Sequence, residues 1–251
     1  MTTQTTRHTR QAVVLAAGLG TRMRPLTLTC PKPLVEVAGV TLLDHALNAL
    51  VRHGVDHCAV NVHYLPEQIE AHLATRGDLT CHISNERDQL LDSGGGVAKA
   101  HNLLPDRQSA FFLLNADSFW RDRTLPALPA LAHMDGLFDD TMDMLMLVAR
   151  HEDAVGFDGK GDFFMGADRR LTRRGNADHA PYVYAGAILA RPELFQNRPA
   201  VFSLNTVFDE AIAKGRLAGA VLNGLWLHVG TPQAIGEAQA ALTAFDQKRS
   251  A

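Results

Sequence analysis

The chain has 251 residues, 46% of them hydrophobic and 20% charged, a balance that supports a sizeable globular core and excludes a low-complexity or disordered polymer. A formal net charge of −3 excludes a broadly basic surface of the kind that holds nucleic acid. No run approaches the roughly 20 apolar residues of a membrane span, and the first ten residues are polar, which excludes a secretory signal and leaves a flexible tail over residues 1–10.

In chain order, the apolar run Ala12–Ala16 reads as a strand that empties into a glycine-bearing loop. Leu42, Leu43, Ala46, Leu47, Leu50 and Val51 recur at helical spacing, so an amphipathic helix ends near Gly54. His57–Val62 reads as a strand, Pro66–Ala74 as a helix with proline in its first turn, and Leu79–Ser84 as a strand. Ser93 is the expected cap of a helix running to about Leu104. Ala110–Leu114 is a further strand, ending in Asn115-Ala116-Asp117. Alternation of this kind predicts an α/β domain: a Rossmann-like, mostly parallel mixed sheet with helices on both faces, whose ligands bind beyond the carboxyl ends of the strands.

The second half is less regular. Met142–Ala149 and Val183–Leu189 read as strands, Asp162–Met165 and Arg170–Arg174 as a hairpin, and Thr206–Lys214 and Pro232–Phe245 as helices. Gly156–Gly161 reads as a flexible loop. With no repeat or low-complexity linker, residues 11–246 are expected to form one domain of two halves, 11–120 and 121–246, the second with a small β sub-region. The three cysteines, Cys30, Cys58 and Cys81, lack metal-ligand spacing and read as free thiols of a reducing, cytoplasmic compartment.

The chemistry concentrates between Leu15 and Pro33. Two glycines, Gly18 and Gly20, follow the first strand; then come Thr21, Arg22, Met23, Arg24 and Pro25, and after a gap Pro31-Lys32-Pro33. Glycines let backbone N–H groups approach phosphate oxygens, and Arg22 and Lys32 supply charge where phosphates would sit. No Gly-Lys-Ser/Thr follows and no third glycine opens a helix, so this is neither a Walker loop nor a dinucleotide fingerprint. Asp117, after a buried run, reads equally as a turn former or as a metal ligand at the sheet edge. Ser93-Gly94-Gly95-Gly96 puts three glycines in a helix start, a costly choice unless the backbone there must come close to something.

The Leu15–Pro33 string resembles the signature of the sugar-1-phosphate nucleotidylyltransferases, or nucleoside-diphosphate-sugar pyrophosphorylases, and the similarity runs from Val13 to about Leu242. Within that family the chain is similar to the short uridylyltransferases that act on N-acetylmuramate 1-phosphate in bacterial peptidoglycan recycling. The resemblance implies catalysis by Arg22 and Lys32, with Ala17, Gly18, Gly20, Thr21, Glu86, Gly94 and Gly95 around the nucleotide and Glu86 reading the base. It implies a sugar pocket at Gly161, Asp162, Ala185 and Gly186, and Mg²⁺ at Asp117. One departure stands out: where those relatives carry Trp-x-Asp-Val-Gly-Thr, this chain reads Trp226-Leu227-His228-Val229-Gly230-Thr231. His228 takes the place of a metal-ligating acid, and three roles are open to it: ligating Mn²⁺ or another softer divalent cation, which imidazole suits better than Mg²⁺, contacting Mg²⁺ through a water, or hydrogen-bonding phosphate instead. The implied substrates are UTP and a sugar 1-phosphate, for a monomer or weak homo-oligomer without nucleic-acid or membrane partners. A mannose-1-phosphate guanylyltransferase or another family member, and a non-catalytic nucleotide-sugar regulator, are the alternatives.

Overall fold

The computed structural model describes residues 9–123 and 128–250; of the expected tail, residues 1–8 lie outside them. The first half lays down β1 (Gln11–Leu15), a short hairpin of β2 (Glu36–Val37) and β3 (Val40–Thr41), helix α1 (Leu42–His53), β4 (His57–Val62), α2 (Pro66–Ala74), β5 (Thr80–Asn85), α3 (Asp92–His101) and β6 (Phe111–Asn115). After it come β7 (Ser118–Asp122), α4 (Ala130–Leu137), β8 (Met144–Arg150), β9 (Ala154–Val155), and a hairpin of β10 (Phe163–Met165) and β11 (Leu171–Arg173). The chain ends in β12 (Tyr182–Ala190), α5 (Leu204–Ala213), β13 (Leu217–Val221), β14 (Gly224–His228) and α6 (Pro232–Ser250).

One mixed sheet organises the molecule. Strands β6, β1, β4 and β5 lie side by side and parallel, each joined to the next in sequence by a helix-bearing crossover. The second half joins the same sheet through β12, antiparallel to β6 on one part of its length and to β8 along most of it. Strand β13 then adds to β8 in parallel. A separate three-stranded sheet, β7-β14-β9, stands beside this one.

Alternation along the strands decides which helices cover which face. Val14, Val60, Phe112 and Leu114 point to one side, where Leu43, Leu47 and Leu50 of α1, Ile69 of α2 and Met134 of α4 meet them. Val13, Ala59, Phe111 and Leu113 point to the other, against Val97 and Ala100 of α3 and Val207 and Phe208 of α5. A third cluster joins Met23, Val35, Leu42, Phe119, Leu227, Val229 and Leu242. It packs the N-terminal loop, the small sheet and α6 against one another. No helix among the described residues is long and apolar enough to cross a membrane.

Candidate active site

The carboxyl ends of β1 and β6 form the floor of a cleft of about 500 Å³. Its walls include Ala17, Gly18, Gly20, Thr21, Arg22, Lys32 and Asp117, so the glycine loop, the cations and the carboxylate of the sequence motif converge in one place. The loop between β1 and α1 is folded by its own contacts. Gly20 adopts φ 61°, and a Cβ there would lie 3.0 Å from Lys32 Cβ and from Thr27 Cγ2. The Thr27 hydroxyl donates to the Gly20 carbonyl at 2.7 Å, and the Tyr64 hydroxyl donates to the Thr27 carbonyl at 2.8 Å. Met23, fully buried, anchors the loop from below and leaves its neighbour Arg22 exposed to the cleft. A Cβ on Gly18 would meet nothing within 4 Å. That part of the backbone is open to a ligand.

Main-chain bonds fix Asp117: the Ala116 N–H donates to the Leu15 carbonyl, and the Val229 N–H donates to the Asp117 carbonyl at 3.1 Å. Its carboxylate accepts from Lys32 Nζ at 2.9 Å, with the lysine side chain 11% and the aspartate 35% exposed. Burial opposes ionisation of Asp117, but Lys32, His228 and Arg22 outweigh it and hold its pKa below the ordinary carboxylate value. His228 arrives because β14 pairs with β7 in a register that sets it opposite Ser118. Its ring lies near-parallel to Trp226 and folds over Gly230, a cleft residue; a Cβ on Gly230 would sit 2.8 Å from His228 Nε2 and 3.5 Å from Arg22 Nη1. Burial lowers the His228 pKa, and Lys32 and Arg22 add to this while Asp117 opposes it. The imidazole beside the cleft is therefore neutral at pH 7 and keeps a lone pair.

Among the described residues, no three His, Cys, Asp or Glu side chains gather as a ready-made metal cage. The cleft offers an ionised carboxylate and a neutral imidazole. Such a sparse set fits a hexacoordinate divalent cation that keeps waters and takes its other ligands from phosphate oxygens.

Other sequence candidates lie elsewhere. Glu86 is 1% exposed and faces inward: its Oε1 accepts from Asn61 Nδ2 at 2.7 Å, and its Oε2 accepts from the Leu91 N–H at 3.0 Å. Asn61 in turn accepts from the Ala16 N–H at 2.7 Å. The acid expected to read the base instead braces the end of β1 against the start of α3, and Asn61 is the member of this chain that reaches the cleft. Gly94 and Gly95 also face away from it. Their N–H groups donate to the Phe202 carbonyl at 2.9 and 3.1 Å, and a Cβ on Gly95 would fall 2.1 Å from the Ala200 carbonyl oxygen. Asp92 and Ser93 hold the cleft rim in their place. Ser93 does not cap α3; its hydroxyl accepts from the Leu204 N–H at 3.0 Å.

Of the residues expected to hold the sugar, Gly161 (φ 81°) packs against the Ala180 carbonyl, and the Asp162 carboxylate accepts from the Tyr184 N–H at 2.9 Å. Ala185 is fully buried, and Gly186 (φ 83°) abuts Ser118 and Asn115 where β12 changes register. None of these four lines the cleft, although Asn115 does. Sequence reasoning did not select the cleft residues Asn61 and Asn115. The Tyr184 hydroxyl is buried without a partner, and burial followed by the Asp117 charge pushes its pKa up. All three cysteines are free, and burial and Glu36 raise the Cys30 pKa, which keeps it a thiol.

A glycine-built loop bearing two cations, closed on a carboxylate at the sheet edge, is a place for a polyphosphate, and residues 11–157 match the family model described as nucleotidyl transferase. The chain belongs to the nucleotidyl transferase family. It is 41% identical over 92% of its length to the N-acetylmuramate alpha-1-phosphate uridylyltransferase of Caulobacter vibrioides, covering 96% of that protein. It is 30% identical over 89% of its length to the mannose-1-phosphate guanylyltransferase catalytic subunit beta of Danio rerio, covering 62% of that chain. The UTP-bound UGPase of Acinetobacter baumannii superposes over 96% of this nucleotidyl transferase with a TM-score of 0.75 at 16% identity, covering 98% of that chain, which speaks to the fold.

Proposed function

We propose that the chain joins N-acetyl-α-muramate 1-phosphate to UTP, forming the UDP-sugar and pyrophosphate. The observation that carries this reading is the meeting of Arg22, Lys32 and Asp117 in one cleft floored by β1 and β6; the relative from Caulobacter vibrioides supports the choice of base and sugar. A phosphate oxygen of the sugar attacks the α-phosphorus in line, the bond to the β-phosphate oxygen breaks, and pyrophosphate leaves with no enzyme-bound covalent intermediate. Arg22 grips the β- and γ-phosphates through a planar guanidinium, and Lys32 offers a point charge to phosphate at the reacting centre. Asp117, with His228 beside it, would hold a divalent cation that neutralises triphosphate charge when bound. Ala17, Gly18, Gly20 and Thr21 present backbone to the nucleotide. The site works by position and fixed charge.

The guanylyltransferase relative favours a second reading, transfer of GMP to a hexose 1-phosphate by the same residues. Pyrophosphate release measured with UTP, GTP, CTP and dTTP against N-acetylmuramate, mannose and glucose 1-phosphates separates the two. The highest kcat/KM for UTP with the muramate ester is the expected result; a GTP and mannose maximum sinks the assignment.

A further inference from the structure

A second cavity, of about 650 Å³, opens between the far end of α3 and the 192–200 segment that precedes α5. Its volume falls within the range of small-molecule sites. His101 forms part of its wall; it is 6% exposed, lies against the Phe111 ring, and its Nε2 has no hydrogen-bond partner. A buried ring nitrogen left without a partner carries a desolvation cost that a bound polar group would relieve.

The charges at the mouth favour an anion. Arg107 lines the cavity, is exposed, and makes no hydrogen bond or ion pair among the described residues. Lys99 also lines it, its ammonium donating to the Asn85 carbonyl, and Arg198 is held in place by a two-point pair with Glu210 at 2.7 and 2.6 Å. The acids near His101 are Asp106, whose carboxylate is already engaged by the Gln108 and Ser109 N–H groups, and Glu193. A free guanidinium suits a bidentate oxyanion, and the neighbouring amides of Asn102 and Gln196 can both donate to and accept from hydroxyls.

The cavity is also connected to the cleft. Ala200, in its wall, touches Gly95; the Phe202 carbonyl accepts from Gly94 and Gly95; and the Leu204 N–H binds the hydroxyl of Ser93 on the cleft rim. A ligand that draws the 192–200 segment toward α3 therefore moves the residues that edge the nucleotide cleft. We propose that this cavity is a second binding site for a small phosphorylated sugar, distinct from the cleft, and that its occupancy changes nucleotide affinity through α3.

Titration calorimetry of the full chain with glucose 6-phosphate, a phosphomonoester that cannot act as a sugar 1-phosphate, tests this. Saturable binding is expected, at least ~10-fold weaker in Arg107→Ala, since a hydrogen bond to a charged group is worth about 1.5–3 kcal/mol, and absent for uncharged glucose. Binding of UTP alone should be unaltered by Arg107→Ala, which keeps the two sites distinguishable. By linkage, UTP affinity must shift when glucose 6-phosphate is saturating, and glucose 6-phosphate affinity must shift equally with UTP bound. No heat from glucose 6-phosphate, equal binding of glucose, or an unweakened Arg107→Ala overturns the site; an unshifted UTP affinity overturns the coupling.

Discussion

Lys32 and Asp117 hold one another at 2.9 Å in a cleft that is only partly open to water, so in the proposed reaction each would be preorganised for the charge that develops. Removing either should lower turnover at least ~10²-fold, as the loss of one preorganised electrostatic contact does elsewhere. Steady-state rates of Lys32→Ala and Asp117→Asn check this, and wild-type turnover in both would remove them from the chemistry. Restoring a carboxylate with His228→Asp should raise the Mg²⁺ to Mn²⁺ activity ratio, because oxygen ligands favour the harder ion; an unchanged ratio separates His228 from the cation. Glu86→Ala leaves the Asn61 amide and the Leu91 N–H without their acceptor. It should cost about 1–3 kcal/mol in urea unfolding and leave the relative rates with UTP and GTP unchanged. A changed ratio would return Glu86 to base recognition. The cations were legible because a compact string carries them. Asn61 was not: a polar residue inside an apolar strand gives no hint that its partners are Ala16 and Glu86, distant in sequence.

Helix α3 shows how far local signals reach. Its three glycines correctly announce a close approach: the 200–202 segment, more than a hundred residues on, meets Gly94 and Gly95, and the Asn61 and Glu86 side chains meet Gly96. Gly95→Ala would drive a methyl group into the Ala200 carbonyl, and overpacking of this kind costs about 1–3 kcal/mol. A lower thermal midpoint with the cleft's UTP affinity also reduced is the expected outcome; reduced affinity at full stability would place Gly95 against the nucleotide after all. Strands with strong apolar runs, β4 and β8 among them, were readable within two residues at each end. Strands β7, β13 and β14, and helix α4, escaped. The first three are five-residue segments whose partners are set by long-range pairing, and β7 begins directly after Asp117, which the sequence reads equally as a turn former or a metal ligand.

At the scale of the whole molecule, two histidines and two partnered carboxylates, all with lowered pKa values, act on stability in the same direction. Burial lowers the pKa values of His45 and His101 from an ordinary value of 6.5, with the Val37 carbonyl opposing at His45 and Arg107 reinforcing at His101. The unfolded chain then takes up protons first, so stability is full above about pH 6.5 and declines as pH falls toward the folded values. Asp44 and Asp135 are also lowered; burial resists ionisation, but His72, Thr41 and Arg76 in one case, and His53 and Thr9 in the other, prevail. Their contribution is present above an ordinary 3.8 and is lost below it as pH falls through the folded values. Urea midpoints measured from pH 8 to pH 3 should fall in two stages, and Asp44→Asn should flatten the second. A midpoint that rises on acidification contradicts both assignments. The mixed sheet was foreseeable in its parallel half, where each crossover is local, and less so where β12 joins two strands at once with a shift in register.

Met23 and Leu242 belong to the same apolar cluster, although one sits beside Arg22 in the N-terminal loop and the other midway along the last helix. Loop and helix are thereby mechanically one piece. A tug on α6, from a fused tag, a binding protein or a surface tether, would pass through this cluster to the loop that carries residue 22, and so to the grip on triphosphate proposed for it, without altering any group in the cleft.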